Sequence, residues 1–501
     1  MKKYGNSKFK WNFHWNLLVL FTFLLVSCNS TEKQIIPITS DDDETIYLPF
    51  INNGVLQPPI VPINTPLIHI PYKNTTDFVA DAFPEMSIFW FGEITTNNNY
   101  YDVRIGYSND SLFVYIAAID RLLWYDTNPL TMNLNDWDSI SLFVSPNNSD
   151  RLLPNQGFLL SSGLAPQEAN RSQYQKAFRW DGSKWVSDQI PFTTNAAWRG
   201  PGMNDANDDG GWNLSYKIPF TSLGISQIPN LDTIWRLGII AYDRDYQNGT
   251  TIPPVVWPLE FDQTNIQSWG KISYGLLTNE INNDPIDSSI IVREGENGYI
   301  VQDASPGGFT ICGGFDLTTV WSDWGKKVFE GENAMTANIQ NQRDIADWPC
   351  YSKFYINFPI PTIPQNKSII RATLKLHLYG NAGKWGDPVF QPYRSLIQVG
   401  TTKNNWSEDT LNWNNAPILM ENLSRTWVSP MEEFSGWPGV PYEWDVTKAA
   451  QVSFENGDNS VSLALYSADG AYHSGKYFST SEVEDWNKVA RPTLIIEYGN
   501  P

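Results

Sequence analysis

Histidine and cysteine are scarce in this 501-residue chain, at four and three residues. With so few imidazoles and thiols, a finger-type zinc site or a Cys–His nucleophile has almost nothing to draw on. Basic charge is short as well: 34 Lys and Arg stand against 54 Asp and Glu, a formal net charge of −20. Such a surface repels nucleic acid and acidic polysaccharide unless basic residues gather locally. The chain has no Gly-rich phosphate loop, G-x-S-x-G elbow or H-E-x-x-H motif. No apolar run reaches the roughly 18 residues that suggest a membrane-spanning helix. What the chain does have is 41% hydrophobic residues against 18% charged, enough to form packed cores and to exclude a mainly disordered polymer. Its length admits two to four domains. Aromatics reach 14%, with 22 Trp, residues that fill β-sandwich cores and also build stacking surfaces for sugar rings.

Lys2, Lys3, Lys8 and Lys10 precede an apolar run from Leu17 to Val26. That run is too short to span a bilayer and suits the hydrophobic region of a signal peptide. Leu25-Val26-Ser27-Cys28 follows directly and resembles the bacterial lipobox, in which the Cys is lipidated and becomes the first residue. The expectation is a signal peptide over 1–27 and a lipid on Cys28. The protein is then exported and anchored to the bacterial cell membrane or outer membrane, facing away from the cytoplasm and touching the membrane through its lipid alone. The mature chain retains 30 basic and 54 acidic residues, a net of −24. Residues 28–58 are polar and acidic, with Asp41-Asp42-Asp43-Glu44, and read as a flexible tether. In an oxidising compartment Cys312 and Cys350 are expected to pair, the alternative being two buried thiols.

Beyond the tether, strand-like alternation dominates. Asp102–Tyr107 and Leu112–Ala117 flank a Ser108-Asn109-Asp110 turn, the pattern of a β-hairpin. Ser139–Val144, Trp212–Ile218, Trp235–Tyr242, Trp269–Tyr274, Ser368–Tyr379, Ser460–Tyr466 and Thr493–Tyr498 read the same way. The fold class is therefore all-β: two β-sandwich, jelly-roll-like domains in tandem over 59–276 and 288–501, joined by a polar linker at 277–287.

Arg104-Ile105-Gly106-Tyr107, Asp110 to Ile116, Asp120, Trp137-Asp138-Ser139-Ile140-Ser141-Leu142-Phe143, Trp212 to Phe220 with Leu223-Gly224, and Trp269-Gly270-Lys271-Ile272 occur in one order across the first block. That order and spacing resemble the family 9 carbohydrate-binding modules. The resemblance implies a sugar clamped between two aromatics, with Trp257 on one clamp position. Asn135 falls where the family often has Trp, and Trp137 or Trp124 is the candidate opposing wall. Tyr125, Asp136 and Arg244 could supply a polar rim. Separately, Asp205-Ala206-Asn207-Asp208-Asp209-Gly210 matches the first half of a calcium loop, so Asp205, Asn207 and Asp209 are candidate ligands of a structural calcium ion. Tyr216 stands where an EF-hand has Glu, and the alternative is an ordinary solvated turn.

In the second block, Ile369 to Leu376, Trp406 to Pro417, Trp444-Asp445-Val446-Thr447, Phe478 to Glu482 and Arg491-Pro492-Thr493-Leu494 resemble the DNRLRE domain. That domain also occurs in disaggregatase-related proteins and in a family 96 carbohydrate-binding module. These residues read as framework, with Asp, Glu and Asn closing turns and Trp in the core.

Together these readings point to a surface lipoprotein that binds carbohydrate in support of carbohydrate catabolism, alongside other surface proteins that process glycans. No catalytic residue stands out. Only His69, His377 and His473 lie beyond the signal, none of them in a motif. Two alternatives stay open: an O-glycosyl hydrolase or disaggregatase-like enzyme, and a structural adhesion protein. A converging carboxylate pair in a cleft would mark the first, and a flat apolar patch the second.

Overall fold

Alternating side chains fit a pleated backbone that turns successive residues to opposite faces, and strands are the dominant regular element among the described residues. The computed structural model describes residues 51–52, 55–56, 65–129, 133–246, 252–278, 284–308, 318–329 and 334–500. The expected signal peptide, Cys28, Cys312 and most of the expected tether lie outside them. Within the tether stretch, Ile51–Asn52 pairs with Val55–Leu56. Among the described residues the longest α-helix is Thr447–Asn456, closed by Gly457 in the left-handed region at φ +72°. No described helix is long and apolar enough to cross a membrane.

The architecture is all-β, as the alternation implies. In the first block a five-stranded sheet runs in the order Thr193–Arg199, Gly211–Pro219, Ser111–Ile119, Tyr100–Tyr107, Ser87–Gly92. The expected hairpin forms its centre, with Tyr107 opposite Leu112 across the predicted turn. The facing layer contains Trp185–Ser187, Gln175–Trp180, Phe158–Gly163, Ser139–Ser145, Ile234–Tyr242, Gly270–Tyr274 and Leu67–Ile70. In the second block one layer contains Ile286–Arg293, Thr493–Gly499, Ser368–Asn381, Lys476–Ser479 and Thr336–Ile339, with Val440–Asp445 also paired to Ser368–Asn381. Its other layer contains Leu419–Val428, Ser395–Thr402, Ser460–Ser467, Phe354–Pro359 and Gln302–Ala304. Strand Ile286–Arg293 begins inside the stretch that reads as a linker.

The two sandwiches share a sheet. Leu67–Ile70 pairs in parallel with Gly270–Tyr274 on one side and meets Leu419–Val428 on the other, with Leu67 opposite Glu421. Polar groups fasten this seam. His69 Nε2 lies 2.8 Å from Glu421 Oε1, which also accepts from Lys448 Nζ at 2.5 Å. The backbone N–H of His69 donates to Asn422 Oδ1 at 2.7 Å, and Asn422 Nδ2 returns a bond to the His69 carbonyl at 2.9 Å. A second tie is Lys353, fully buried, whose ammonium nitrogen lies 3.9 Å from the ring centre of Trp413 and 4.4 Å from that of Trp90. It donates to Tyr100 Oη at 2.5 Å, and Tyr100 donates to Asp102 at 2.8 Å. Burial pushes the Lys353 amine well below its ordinary pKa. The seam is silent in the sequence because the contacts that cross it, such as His69 with Glu421 and Lys353 with Tyr100, join isolated residues hundreds of positions apart. Cys350 is buried and disulfide-bonded.

Candidate functional site

Strand Val255–Trp257 lies antiparallel to Ile234–Tyr242, and this register turns Trp257 into the sandwich. Its ring is 0% exposed, 4.3 Å from the ring centre of Phe89 and packed over the bare Cα of Gly270. The expected clamp face is therefore corrected: Trp257 is a core residue with no surface open to a sugar. Trp124 is buried too, and its backbone N–H donates to Asp138 Oδ2 at 2.6 Å. Trp137 is half-buried, and the Arg244 guanidinium covers one of its faces at 4.2 Å. Arg244 also donates to the Asp136 carbonyl at 2.9 Å. Trp137, Asp136 and Arg244 thus come together as expected.

Asn135 is exposed and lines a shallow groove of about 190 Å³. Period-two geometry explains the groove. Ile140, Leu142 and Val144 point into the core, so Ser141 and Phe143 point out, alongside Ser161, Lys176, Phe178, Trp185 and Tyr242 from neighbouring strands. Ser141 and Ser161 share a hydrogen bond at 2.7 Å across its floor. The sequence pointed to Asn135 but not to Tyr242, Phe178 or Trp185. Their alternation with core residues was the available signal.

In the half-motif at 205–210, Asp205 Oδ1 accepts from the Asn207 N–H at 2.8 Å, closing a local turn. Asp209 is turned inward: its Oδ2 accepts from the Leu123 N–H at 3.2 Å, and burial pushes its carboxyl up to about 7.

The second block carries a feature that sequence reading did not locate. Tyr379 on strand Ser368–Asn381, Phe434 and Trp437 on the loop between Leu419–Val428 and Val440–Asp445, and Trp486 near the C-terminus form one run of touching rings. The ring centres lie 5.6 Å apart from Tyr379 to Trp437, 5.0 Å from Phe434 to Trp437 and 5.8 Å from Trp437 to Trp486. Phe434 is 48%, Trp437 49% and Trp486 65% exposed. Glu484 accepts from the Trp486 indole N–H at 2.9 Å and so holds that ring. Isolated exposed apolar residues are ordinary, but a contiguous exposed patch marks an interaction surface. Aromatic faces ringed by acceptors suit the C–H faces and hydroxyls of a pyranose.

The residues of the expected framework behave as such. Trp413 and Trp444 are buried, and Trp444 donates to the Ile397 carbonyl at 2.9 Å. Asn412 and Asn415 close the turn between them by exchanging side-chain-to-backbone bonds.

Residues 333–498 match the model of carbohydrate-binding module family 96, inside the block that reads as DNRLRE-like. No curated protein matches the chain. Solved structures similar to it include a family 9 carbohydrate-binding module from Caldicellulosiruptor kristjanssonii in complex with cellotriose. That module is 16% identical, the match covers 44% of this chain and 100% of that one, and the TM-score is 0.31. A second structure of a family 9 module from that organism, in complex with glucose, is 15% identical, with 43% and 99% coverage and a TM-score of 0.31.

Proposed function

We propose that this chain is a carbohydrate-binding protein whose ligand stacks on the Tyr379–Phe434–Trp437–Trp486 platform. One observation carries the reading: contiguous, half-exposed aromatic rings stand on the segment that matches a carbohydrate-binding family. The surplus of acidic residues disfavours polyanionic glycans and leaves neutral or weakly charged ones as the ligand class. On this reading the platform holds a glycan for uptake or for enzymes nearby. The lipobox-like Leu25–Cys28 supports a role at a bacterial membrane, with Cys28 as the lipidated residue.

A glycan array on the soluble chain from Pro59 identifies the ligand, and a reducing-sugar release assay on the same glycans separates binding from hydrolysis. Trp437→Ala should then weaken binding by about tenfold or more, since an aromatic contact contributes about 0.5–1.5 kcal/mol beyond its buried area. Full affinity in a folded variant rejects the platform. Cys28→Ala should release the full-length protein from membranes; persistent membrane association would refute the anchor.

A further inference from the structure

A larger cavity, of about 360 Å³, opens on the outer face of the five-stranded sheet and shares no residue with the platform or the Asn135 groove. Its size lies within the roughly 300–1,000 Å³ of small-molecule sites. Strand alternation makes its floor. Trp212, Leu214 and Tyr216 point into the core, so Asn213, Ser215 and Lys217 point out. Across the ladder they face Ala197, Asn195 and Thr193 in turn, and these mostly short side chains leave a trough. One wall is the turn of helix Phe78–Asp81 with Asp77 before it. The other is Arg343 of the second block, whose carbonyl accepts from Tyr115 Oη at 3.2 Å. The cavity is complete only where the two blocks meet, and ligand sites concentrate at such interfaces.

The lining runs against the charge of the chain. Lys217 and Arg343 face the cavity with one acid, Asp77, in a molecule where acids outnumber bases by 54 to 34. Neither base belongs to an ion pair among the described residues. Lys217 Nζ donates to the Thr76 carbonyl at 2.9 Å. Arg343 donates to the Val79 carbonyl at 3.4 Å and lies 5.1 Å from the ring centre of Phe83. Neutral carbonyls thus position two cations without cancelling their charge. Asp77 uses Oδ1 to cap the helix, accepting from the Ala80 N–H at 3.0 Å. The side chains of Asn195, Asn213 and Ser215 have no hydrogen-bond partner among the described residues. Phe113, Tyr115 and Tyr216 are each at most 2% exposed, so the lining offers no aromatic face for stacking. Such a set suits a hydroxylated ring bearing one anionic group. The anion meets Lys217 and Arg343, and the hydroxyls meet the amides, Ser215 and Asp77.

We propose that this cleft between the blocks is a second ligand site, for an acidic sugar whose single carboxylate or sulfate group is held by Lys217 and Arg343. The two sites differ in chemistry: the platform stacks a ring, whereas the cleft pairs a charge and bonds hydroxyls. They have no residue in common, so the platform can fail without touching this site. A ligand in the cleft contacts Lys217 of the first block and Arg343 of the second, and its binding therefore favours the joined arrangement of the blocks.

The test is calorimetric titration of the whole chain with glucuronate, glucose 6-sulfate, glucose and inorganic sulfate, at about 50 mM salt to limit screening. At least one of the two acidic sugars should bind, one per chain, and about tenfold or more tightly than glucose; the tighter of the two identifies the anionic group. Arg343→Gln and Lys217→Gln should each weaken that binding by about tenfold or more. Lys184→Gln makes the same change of charge at an exposed turn and should leave it unchanged. The proposal is overturned if neither acidic sugar binds at millimolar concentration, or if glucose binds as tightly as both. Inorganic sulfate that matches the better sugar also overturns it, because the hydroxyls then contribute nothing. So does binding that survives both Arg343→Gln and Lys217→Gln. Should Lys217→Gln fail to fold, Arg343→Gln, at an exposed side chain, decides alone.

Discussion

In the first sandwich Trp212, Trp235, Trp257 and Trp269 are fully buried, and the strongly exposed aromatics among its described residues are Tyr72 and Tyr246. In the second, Trp385, Phe390, Tyr393, Phe434, Trp437, Tyr472 and Trp486 all face solvent to a large degree. Both blocks are rich in aromatics, so abundance does not separate them; position along the strand does. A ring on the inward side of a strand meets the facing sheet, whereas a ring on a loop at the end of the sandwich meets water. The first block uses its indoles to fill the space between layers, and the second also displays aromatic rings on its surface. Resemblance to a sugar-clamping family drew attention to the block whose tryptophans are mostly core.

The sharpest test of that contrast is Trp257→Ala. Removing a fully buried indole packed on Phe89 and Gly270 should cost about 3–5 kcal/mol of stability, measured by denaturant unfolding, while glycan affinity per folded molecule stays unchanged. Lost affinity at full stability would return the ligand to the first block.

The seam between the blocks gives the next largest effect. Burial pulls Glu421 upward, but the bond from His69 and the charge of Lys448 outweigh it and hold the carboxyl below its ordinary value. A carboxyl lowered in the native state contributes fully above the unfolded value near 4.5 and loses that contribution as pH falls through the lower native value. Glu421→Gln should cost about 3 kcal/mol at pH 7, within the range for breaking a buried pair. It should also narrow the difference in stability between pH 7 and pH 4. An unchanged difference would mean that the seam carries no titrating weight.

The smallest effect on stability, and the most telling for function, belongs to Trp486→Ala. At 65% exposure its loss should shift unfolding by no more than about 0.5 kcal/mol. Glycan affinity should fall by about tenfold. A large stability loss would make the platform part of the core.

Much of the fold was legible because strands announce themselves locally. The runs at 139–144, 212–218, 235–242, 460–466 and 493–498 each lie inside an observed strand. Joining the blocks through Leu67–Ile70 was not legible, since His69 and Glu421 carry no local pattern. Of the expected sugar site, Trp137, Asp136 and Arg244 do gather, because they flank two adjacent strands of one sheet. The platform escaped notice because Tyr379, Phe434, Trp437 and Trp486 come from three separate stretches. Trp257 misled because sequence position does not reveal which way a three-residue strand faces.

The bond between His69 and Asn422 spans 353 residues of chain. A ribosome adding about 5–20 residues per second needs roughly 20–70 s to deliver the second partner after the first. The N-terminal sandwich closes only once Gly270–Tyr274 has been made, so Leu67–Ile70 then waits with one flank unpaired while the chain from Tyr274 to Glu421 is added, roughly 7–30 s, an invitation to strand exchange with another nascent chain. Assembly of this protein is therefore a matter of timing: the last third of the polypeptide must arrive before a stranger occupies its place.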